Sequence, residues 1–416
     1  MDAQPLITND AAVLGILFGI LAFVFTTSHS DRPGWRRFYR VVPSILVCYF
    51  LPSLLGTAGI ISGSTSRLYF VASRYLLPTS LVLLTISVDF RAILRLGPKA
   101  LIMFLTGTVG IIAGGPLALV LVGLVSPETV GGVGPQAVWR GLATVAGSWI
   151  GGGANQVAMK EVFGVADDLF ASMLAVDIIL ANVWMAILLF LISRAPQIDA
   201  WNGADTSAID DLRRRVEQHR LEHARIPTLT DLMQILAVGF GITGFSHLVA
   251  DWIAPAIEAN WPQLAMYNLA SRFFWLVVVA TTLALLLSGT RLRRLEDAGA
   301  SKIGSACLYV LVATIGMRMN LAAVFDNPGL FAVGAIWMLI HAALMLGVAR
   351  AIRAPVFFMA VGSQANVGGA ASAPIVASAV HPALAPVGAL LAVLGYALGT
   401  YGAYICGQIM RIAAGG

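Results

Sequence analysis

Two glycine-rich stretches of the sequence combine residues that break helices with side chains that bind polar ligands. They are GSWIGGGANQ at 147–156 and GSQANVGGAAS at 362–372. Glycine is a poor helix former, and a broken helix leaves backbone N–H and C=O groups free to contact a ligand. Neutral amide and hydroxyl groups can hold a solute or a sodium ion without burying a full charge. Both stretches are therefore candidates for a binding site built at breaks in helices.

The candidate site residues are the glycines and the neutral polar side chains of these stretches. We expect substrate contacts from Ser148, Gly152, Gly153, Asn155, Gln156, Ser363, Gln364, Asn366, Gly368, Gly369 and Ser372. The alternative interpretation is that the small residues only allow close packing between helices. Packing accounts for glycine and alanine, but it does not account for the amides.

The elements that carry these stretches are apolar segments of membrane-spanning length. The chain is 58% hydrophobic and 11% charged, with a mean hydropathy of +0.84, whereas soluble domains carry about a quarter charged residues. Apolar segments occupy 11–29, 41–62, 69–89, 100–125, 137–163, 167–193, 232–254, 267–288, 303–319, 329–349, 354–378 and 383–410. Segments near twenty residues cross a bilayer as helices, so the sequence predicts an all-α polytopic membrane protein.

Two similar halves flank a polar stretch. LLTISVDFRAILRLGP at 83–98 resembles VATIGMRMNLAAVFDNP at 312–328, and the two glycine-rich stretches follow in the same order within their halves. We therefore predict a first repeat at 1–193, a cytoplasmic linker at 194–229 and a second repeat at 230–416. The charged end of the linker reads as a short amphipathic helix that serves as a solvated connector or, alternatively, has a regulatory role.

The short basic loops indicate that the two repeats have opposite orientations. Loops 30–40 and 289–302 are rich in arginine, which is typical of cytoplasmic loops. Their counterparts in the other half, 257–263 and 63–67, carry few basic residues. The pattern predicts an inverted-topology repeat, which is common among secondary transporters.

The number of segments between the two basic loops predicts a re-entrant hairpin. Seven apolar segments separate loops that should lie on the same side, so one segment fails to cross. We assign 137–163 as that hairpin and, by symmetry, 354–378 as a second one from the opposite face. Each half then has about five spans plus one hairpin or broken helix, both termini lie outside, and Pro135 and Asp167 lie on the same side. Crossed, broken spanning helices are the alternative.

A few other polar residues lie inside or near the predicted spans. Asp177 and Asn182 are candidates for ion coupling, in which Asp177 carries a proton, holds sodium or organises hydrogen bonds. Asp89 and Arg318 occupy matching repeat positions near span ends, where they anchor the interface. The alternative for Arg318 is contact with an anionic solute.

Motifs of enzymes and of metal sites are missing from the sequence. The three cysteines have no paired spacing, and we find neither a phosphate-binding Walker loop nor an HExxH zinc motif. We therefore expect no catalytic residues, no cofactor and no metal beyond a possible sodium ion. The expected partners are a small-molecule solute, the lipid bilayer and a second copy of the chain in a homodimer, with no nucleic acid.

The chain resembles the YjcL-like family of membrane proteins, domain of unknown function 819. The residues that carry this resemblance are GSWIGGGANQVAMKEVFG at 147–164 and VGSQANVGGAASAPIVASAV at 361–380. That family is distantly similar to the cation:proton antiporter and anion transporter superfamily, whose sodium/glutamate and sodium/citrate symporters have Gly-Gly motifs at two hairpin tips. The resemblance implies a fixed scaffold and a mobile, elevator-type domain. The glutamate carriers have a GGHG-type tip where this chain has GGGAN, so their substrate does not transfer.

These patterns favour a secondary active transporter of a small organic solute, an anion or amino-acid-like compound, coupled to sodium or protons. We expect it in the bacterial inner membrane. The alternatives are a passive channel and a membrane-embedded sensory or structural protein. A channel favours rings of charge or a continuous polar stripe, whereas polarity here concentrates at two points.

Overall fold

The computed structural model describes residues 5–207, 209, 227–319 and 327–415, and helices make up most of this part of the chain. The helices are α1 Asp10–Ser28, α2 Pro33–Val41, α3 Ser44–Thr57, α4 Leu68–Val71, α5 Leu77–Ile86, α6 Phe90–Leu94, α7 Pro98–Val125, α8 Pro127–Val130, α9 Val138–Phe163, α10 Asp167–Ser193, α11 Ala195–Asn202, α12 Leu229–Asn260, α13 Arg272–Ser288, α14 Ala300–Gly316, α15 Gly329–Ala351, α16 Val356–Val367, α17 Gly369–Ser378 and α18 Ala385–Ala413. A π-helical turn, Ala72–Leu76, joins α4 to α5.

The predicted polytopic helical fold is confirmed. Every predicted apolar segment contains a helix, and within the described ranges seven helical stretches are long and apolar enough to cross a membrane. The count rises to nine if two bent pairs each count as one span. In these pairs, α2 bends by 92° from α3, and a 3₁₀ helix at Arg291–Ala298 bends by 96° from α13. The basic loops therefore form elements roughly perpendicular to the neighbouring helices.

Contacts between chain segments define two ends of the molecule. At one end, which we call the N-terminal end, the Leu6 amide donates to the Gly59 carbonyl at 3.0 Å. The Asn327 amide donates to the Thr129 carbonyl there at 3.1 Å. At the other end, the linker end, Lys99 Nζ donates to the Arg353 carbonyl at 2.9 Å. The start of α7 and the end of α15 therefore lie together at the linker end.

The helices form two bundles. Bundle A contains α1 to α5 and α12 to α14, which come from the first three predicted segments of each half. Bundle B contains α7 to α10 and α15 to α18, which come from the last three. Both glycine-rich stretches lie in bundle B, which therefore positions the candidate site.

The predicted polar linker begins with a short helix. Asp199 of α11 accepts a hydrogen bond from the Val356 amide at 2.8 Å, so α11 packs on the first turn of α16. The predicted charged helix at 209–226 lies outside the described residues, apart from residue 209.

Candidate functional site

The first glycine-rich stretch interrupts α9. Gly151 has φ −134° and ψ 15°, and Gly152 has φ 70° and ψ −176°, so neither residue is helical. Gly152 lies in the left-handed region that glycine enters most readily. The break therefore divides α9 into two arms at the predicted position.

The two arms of α9 fold back on each other. The Ala166 amide, just beyond the second arm, donates to the Pro135 carbonyl, just before the first, at 3.0 Å. The rings of Trp139 and Phe163, at opposite ends of α9, are 5.5 Å apart. A continuous helix of this length would separate its ends by nearly 40 Å. The segment is a helical hairpin, hairpin 1, with Pro135 and Asp167 at the same end of the molecule.

The second stretch forms hairpin 2 from α16 and α17. Gln364 Nε2 donates to Ser372 Oγ at 2.7 Å across eight residues, which would lie about 12 Å apart along a continuous helix. Gly369 has φ +58°, which allows the chain to turn between the arms. A Cβ atom on Gly368 would lie 2.2 Å from Gln364 Nε2, so a side chain there would displace this pair.

The two hairpin tips meet inside the molecule. A Cβ atom on Gly369 would lie 3.9 Å from Cα of Gly152. Hairpin 1 has its base at the N-terminal end and hairpin 2 at the linker end, so they extend towards each other. A Cβ atom on Gly153 would lie 3.8 Å from Ile45 and from Leu308, which belong to bundle A. The tips therefore face the boundary between the bundles.

A buried carboxylate holds both arms of hairpin 1. Asp177 of α10 is 5% exposed. It accepts hydrogen bonds from Trp149 Nε1 at 2.7 Å and from Gln156 Nε2 at 2.9 Å, and Ser148 is a further hydrogen-bond partner. Trp149 precedes the glycine break and Gln156 follows it. Because these bonds involve a charged acceptor, Asp177 is a strong anchor for the hairpin.

Asn155 fixes hairpin 1 to α18. Its Nδ2 donates to the carbonyls of Gly151 at 2.9 Å and Tyr396 at 3.2 Å, and its Oδ1 accepts from Thr400 Oγ1 at 2.7 Å. The side chain is fully buried. Both amide hydrogens and the oxygen have partners within the protein, so the geometry assigns Asn155 to holding the tip.

Asn366 fixes hairpin 2 to α7 with the same set of bonds. Its Nδ2 donates to the carbonyls of Gly362 and Phe104, both at 2.9 Å, and its Oδ1 accepts from Thr108 Oγ1 at 2.8 Å. In each hairpin the asparagine Nδ2 donates to the carbonyl four residues earlier in its own arm. It also donates to a carbonyl of a long neighbouring helix, and its Oδ1 accepts from a threonine one turn further along that helix. Both asparagines are positioning residues in this geometry.

Two further polar side chains of hairpin 2 are those of Ser363 and Gln364. Ser363 Oγ accepts from Trp184 Nε1 at 2.8 Å and lies 2.8 Å from His341 Nε2. The Gln364 side chain is 1% exposed, and its Oε1 has no hydrogen-bond partner among the residues that the structure describes. A buried acceptor without a donor is costly, so a hydrogen-bond donor that reached this tip would stabilise Gln364 Oε1.

Two other predicted residues lie outside this arrangement. Asn182 Nδ2 donates to the Ile178 carbonyl of its own helix at 2.7 Å, and it does not join the cluster around Asp177. Arg318 Nε contacts Asp167 Oδ2 at 2.9 Å. Arg318 therefore pairs with a carboxylate of bundle B at the N-terminal end.

Several residues of the site were not identified from the sequence. Tyr396, Thr108 and Thr400 belong to long apolar helices that give no local signal of a site. Lys160 and Glu161 could have been found, because charged residues inside a predicted apolar segment are unusual.

A cavity of about 370 Å³ lies at the base of hairpin 1. Its polar lining includes Glu128, Gln136, Asp168 and Asn327. The cavity is at the N-terminal end, away from the tips. Within the described residues, no group of three or more His, Cys, Asp or Glu side chains could hold a metal ion.

A family model and a curated relative each match most of the chain. The family model described as "Protein of unknown function (DUF819)" matches residues 15–413. The "Uncharacterized membrane protein YjcL" of Bacillus subtilis is 22% identical over 347 residues, which cover 81% of this chain and 82% of that protein.

Proposed function

The chain belongs to the DUF819 family of membrane proteins, and we propose that it is a secondary transporter of a small organic solute. The solute is an anion or an amino-acid-like compound, and sodium or protons drive its movement across the bacterial inner membrane. The observation that carries this proposal is the meeting of the Gly152 and Gly369 hairpin tips at the boundary between two helical bundles.

The helix ends at the tips support an anionic or amino-acid-like solute. The second arms of both hairpins begin at the glycine breaks, so their first N–H groups lie near the meeting point. Helix N-termini favour negative charge, and the ends of the first arms supply carbonyls that suit a cation. Gln364 Oε1 adds a neutral acceptor that receives no hydrogen bond from the described part of the chain. This combination fits a carboxylate together with a cation or an amino group.

Helix directions support an inverted repeat. Each bundle takes equivalent segments from both halves, and α7 and α15 are antiparallel since Lys99 contacts Arg353 and Thr129 contacts Asn327. In our proposal, bundle A is the fixed scaffold and bundle B carries the solute. The coupling ion is sodium at the carbonyl ends or a proton on Asp177, whose protonation would weaken its hold on hairpin 1.

The experiment that tests the proposal is a thermal-shift screen of the purified protein against small organic acids and amino acids, in sodium and in potassium buffers. A bound solute should raise the melting temperature with concentration, because it stabilises the native state by mass action. Each hit is then tested for uptake into proteoliposomes. Hits that bind but are never transported under any ion gradient would favour a sensory role instead.

A further inference from the structure

A network of ion pairs joins the two bundles at the N-terminal end. Lys160 Nζ lies 2.8 Å from Asp167 Oδ1, and Arg318 Nε lies 2.9 Å from Asp167 Oδ2. Arg74 Nη2 lies 3.4 Å from Glu161 Oε2. Lys160 and Glu161 end the second arm of hairpin 1 and Asp167 begins α10, whereas Arg74 and Arg318 belong to bundle A. Each bundle therefore supplies charges to both ion-paired groups.

Tyr69 of bundle A occupies the centre of the network. Its hydroxyl donates to Glu161 Oε1 and accepts from Lys160 Nζ at 3.0 Å. The Arg318 guanidinium stacks over its ring at 4.5 Å. The tyrosine thus connects the Lys160–Asp167 group to the Arg74–Glu161 group, and the six residues form one continuous set of contacts.

The bundle B side chains Lys160 and Glu161 are more buried than the bundle A arginines Arg74 and Arg318, which are 32% and 34% exposed. The Lys160 side chain is 5% exposed and that of Glu161 is 11% exposed. A buried charge that loses its partner is strongly unfavourable, whereas an exposed pair contributes little. The ion-pair partner Arg74 of Glu161 comes from bundle A, so Glu161 favours the arrangement in which bundle A lies against the base of hairpin 1, whereas Lys160 keeps Asp167 of its own bundle as a partner.

The backbone of bundle A is also adapted at this contact. Arg74 lies in the π-helical turn at Ala72–Leu76. The Arg74 carbonyl lies 2.8 Å from His247 Nε2 of α12. The Arg74 guanidinium also stacks over the Phe273 ring of α13 at 4.5 Å. Arg74 is thereby fixed to two helices of its own bundle while it reaches Glu161 of the other.

We propose that Tyr69, Arg74, Lys160, Glu161, Asp167 and Arg318 are a latch that closes the N-terminal end of the boundary between the bundles. With the latch formed, the hairpin tips are closed off from that end. Breaking it shifts the population towards a conformation in which the tips are reached from that end. The inference adds a gate to the proposed transporter, but its test needs no knowledge of the solute.

The test measures access to the tips from each side of the membrane. A single cysteine replaces Leu308, which faces Gly153, in a chain whose native Cys48, Cys307 and Cys406 are replaced by alanine. Membrane-impermeant maleimide is applied to right-side-out and to inverted vesicles. Arg318→Gln is the first latch variant, since its side chain is 34% exposed and its loss leaves Lys160 paired with Asp167. Glu161→Gln is the second.

Each latch variant should raise the labelling rate from the N-terminal side by about threefold to tenfold and lower it from the linker side. Arg318→Lys retains the charge and should stay close to the parent. Arg272→Gln is the matched control, because it breaks the exposed pair with Asp251 inside bundle A. Unchanged rates, or an equal rise from both sides through general loosening, would overturn the latch.

Discussion

Hairpin 1 and hairpin 2 have the same shape but different polar partners. In hairpin 1 the carboxylate of Asp177 accepts from both arms, through Trp149 and Gln156. In hairpin 2 the arms are joined by neutral groups, Gln364 and Ser372, and within the described residues the Gln364 amide oxygen has no partner. A charged acceptor strengthens hydrogen bonds, whereas an unpaired buried acceptor weakens the local structure.

The difference separates two roles. Hairpin 1 is held at its tip by Asp177 and at its base by the latch, so we infer that it is the more rigid of the two. Hairpin 2 has a free acceptor at its tip, and its Ser372 is partly exposed. We infer that hairpin 2 makes the larger contribution to solute contact. The comparison also separates anchoring residues from contact residues, which the sequence alone placed in one group.

The largest expected effect comes from removing the carboxylate of hairpin 1. Asp177→Ala leaves the donors of Trp149 and Gln156 buried without an acceptor, and it should reduce the free energy of unfolding by about 3–5 kcal/mol. Thermal melting of the purified protein measures the loss. Asn182→Ala on the same helix is the control and should change stability far less. Equal melting temperatures of Asp177→Ala and wild type would show that Asp177 does not anchor hairpin 1.

The two asparagines should be equivalent, because they make the same set of bonds. Asn155→Ala and Asn366→Ala should each destabilise the protein by about 1–3 kcal/mol, the cost of leaving buried partners unsatisfied. Melting temperatures measured side by side test this. If both variants keep wild-type stability and lose only solute affinity, Asn155 and Asn366 contact the solute and do not hold the hairpins.

The same substitution in both hairpins sharpens the contrast. Gln156→Leu removes a donor from Asp177 and should cost about 1.5–3 kcal/mol, whereas Gln364→Leu also removes an unpaired oxygen and should cost less than about 1 kcal/mol. Chemical unfolding of both variants under one condition provides the comparison. A larger loss for Gln364→Leu would mean that its oxygen has a partner within the protein.

The smallest expected effect concerns the base of hairpin 2. Burial raises the pKa of Asp199 above its ordinary value of 3.8, although its bond from the Val356 amide opposes this. The folded state then holds this proton more tightly, so the contribution of Asp199 to stability falls as pH rises above 3.8. Asp199→Asn should flatten that part of the stability profile. An unaltered profile would show that Asp199 titrates as in the unfolded chain.

The sequence predicted the features that depend on local composition and on the number of apolar segments between the two basic loops. The apolar segments, the breaks at Gly152 and Gly369, and the hairpin at 137–163 follow from hydropathy, glycine and the basic loops. The roles of individual side chains did not follow. Asn155 bonds Tyr396 and Thr400, about 240 residues away, and no local pattern indicates such partners. In the latch, the charges of Lys160 and Glu161 within an apolar segment are a local signal, but their contact with Tyr69 forms only in the folded chain.

The central claim, a solute site at the meeting point of the hairpin tips, is tested most directly at Gly153. A Cβ atom there would lie in ordinary van der Waals contact with Ile45 and Leu308 at 3.8 Å, so alanine fits, whereas the extra carbons of a larger side chain would occupy the boundary between the tips and bundle A. The measurement is solute-dependent stabilisation and uptake for wild type, Gly153→Ala and Gly153→Leu. We expect wild type and Gly153→Ala to bind and transport the solute, and Gly153→Leu to remain folded but to lose at least about tenfold in affinity. Equal affinity in Gly153→Leu would contradict a site at the tips.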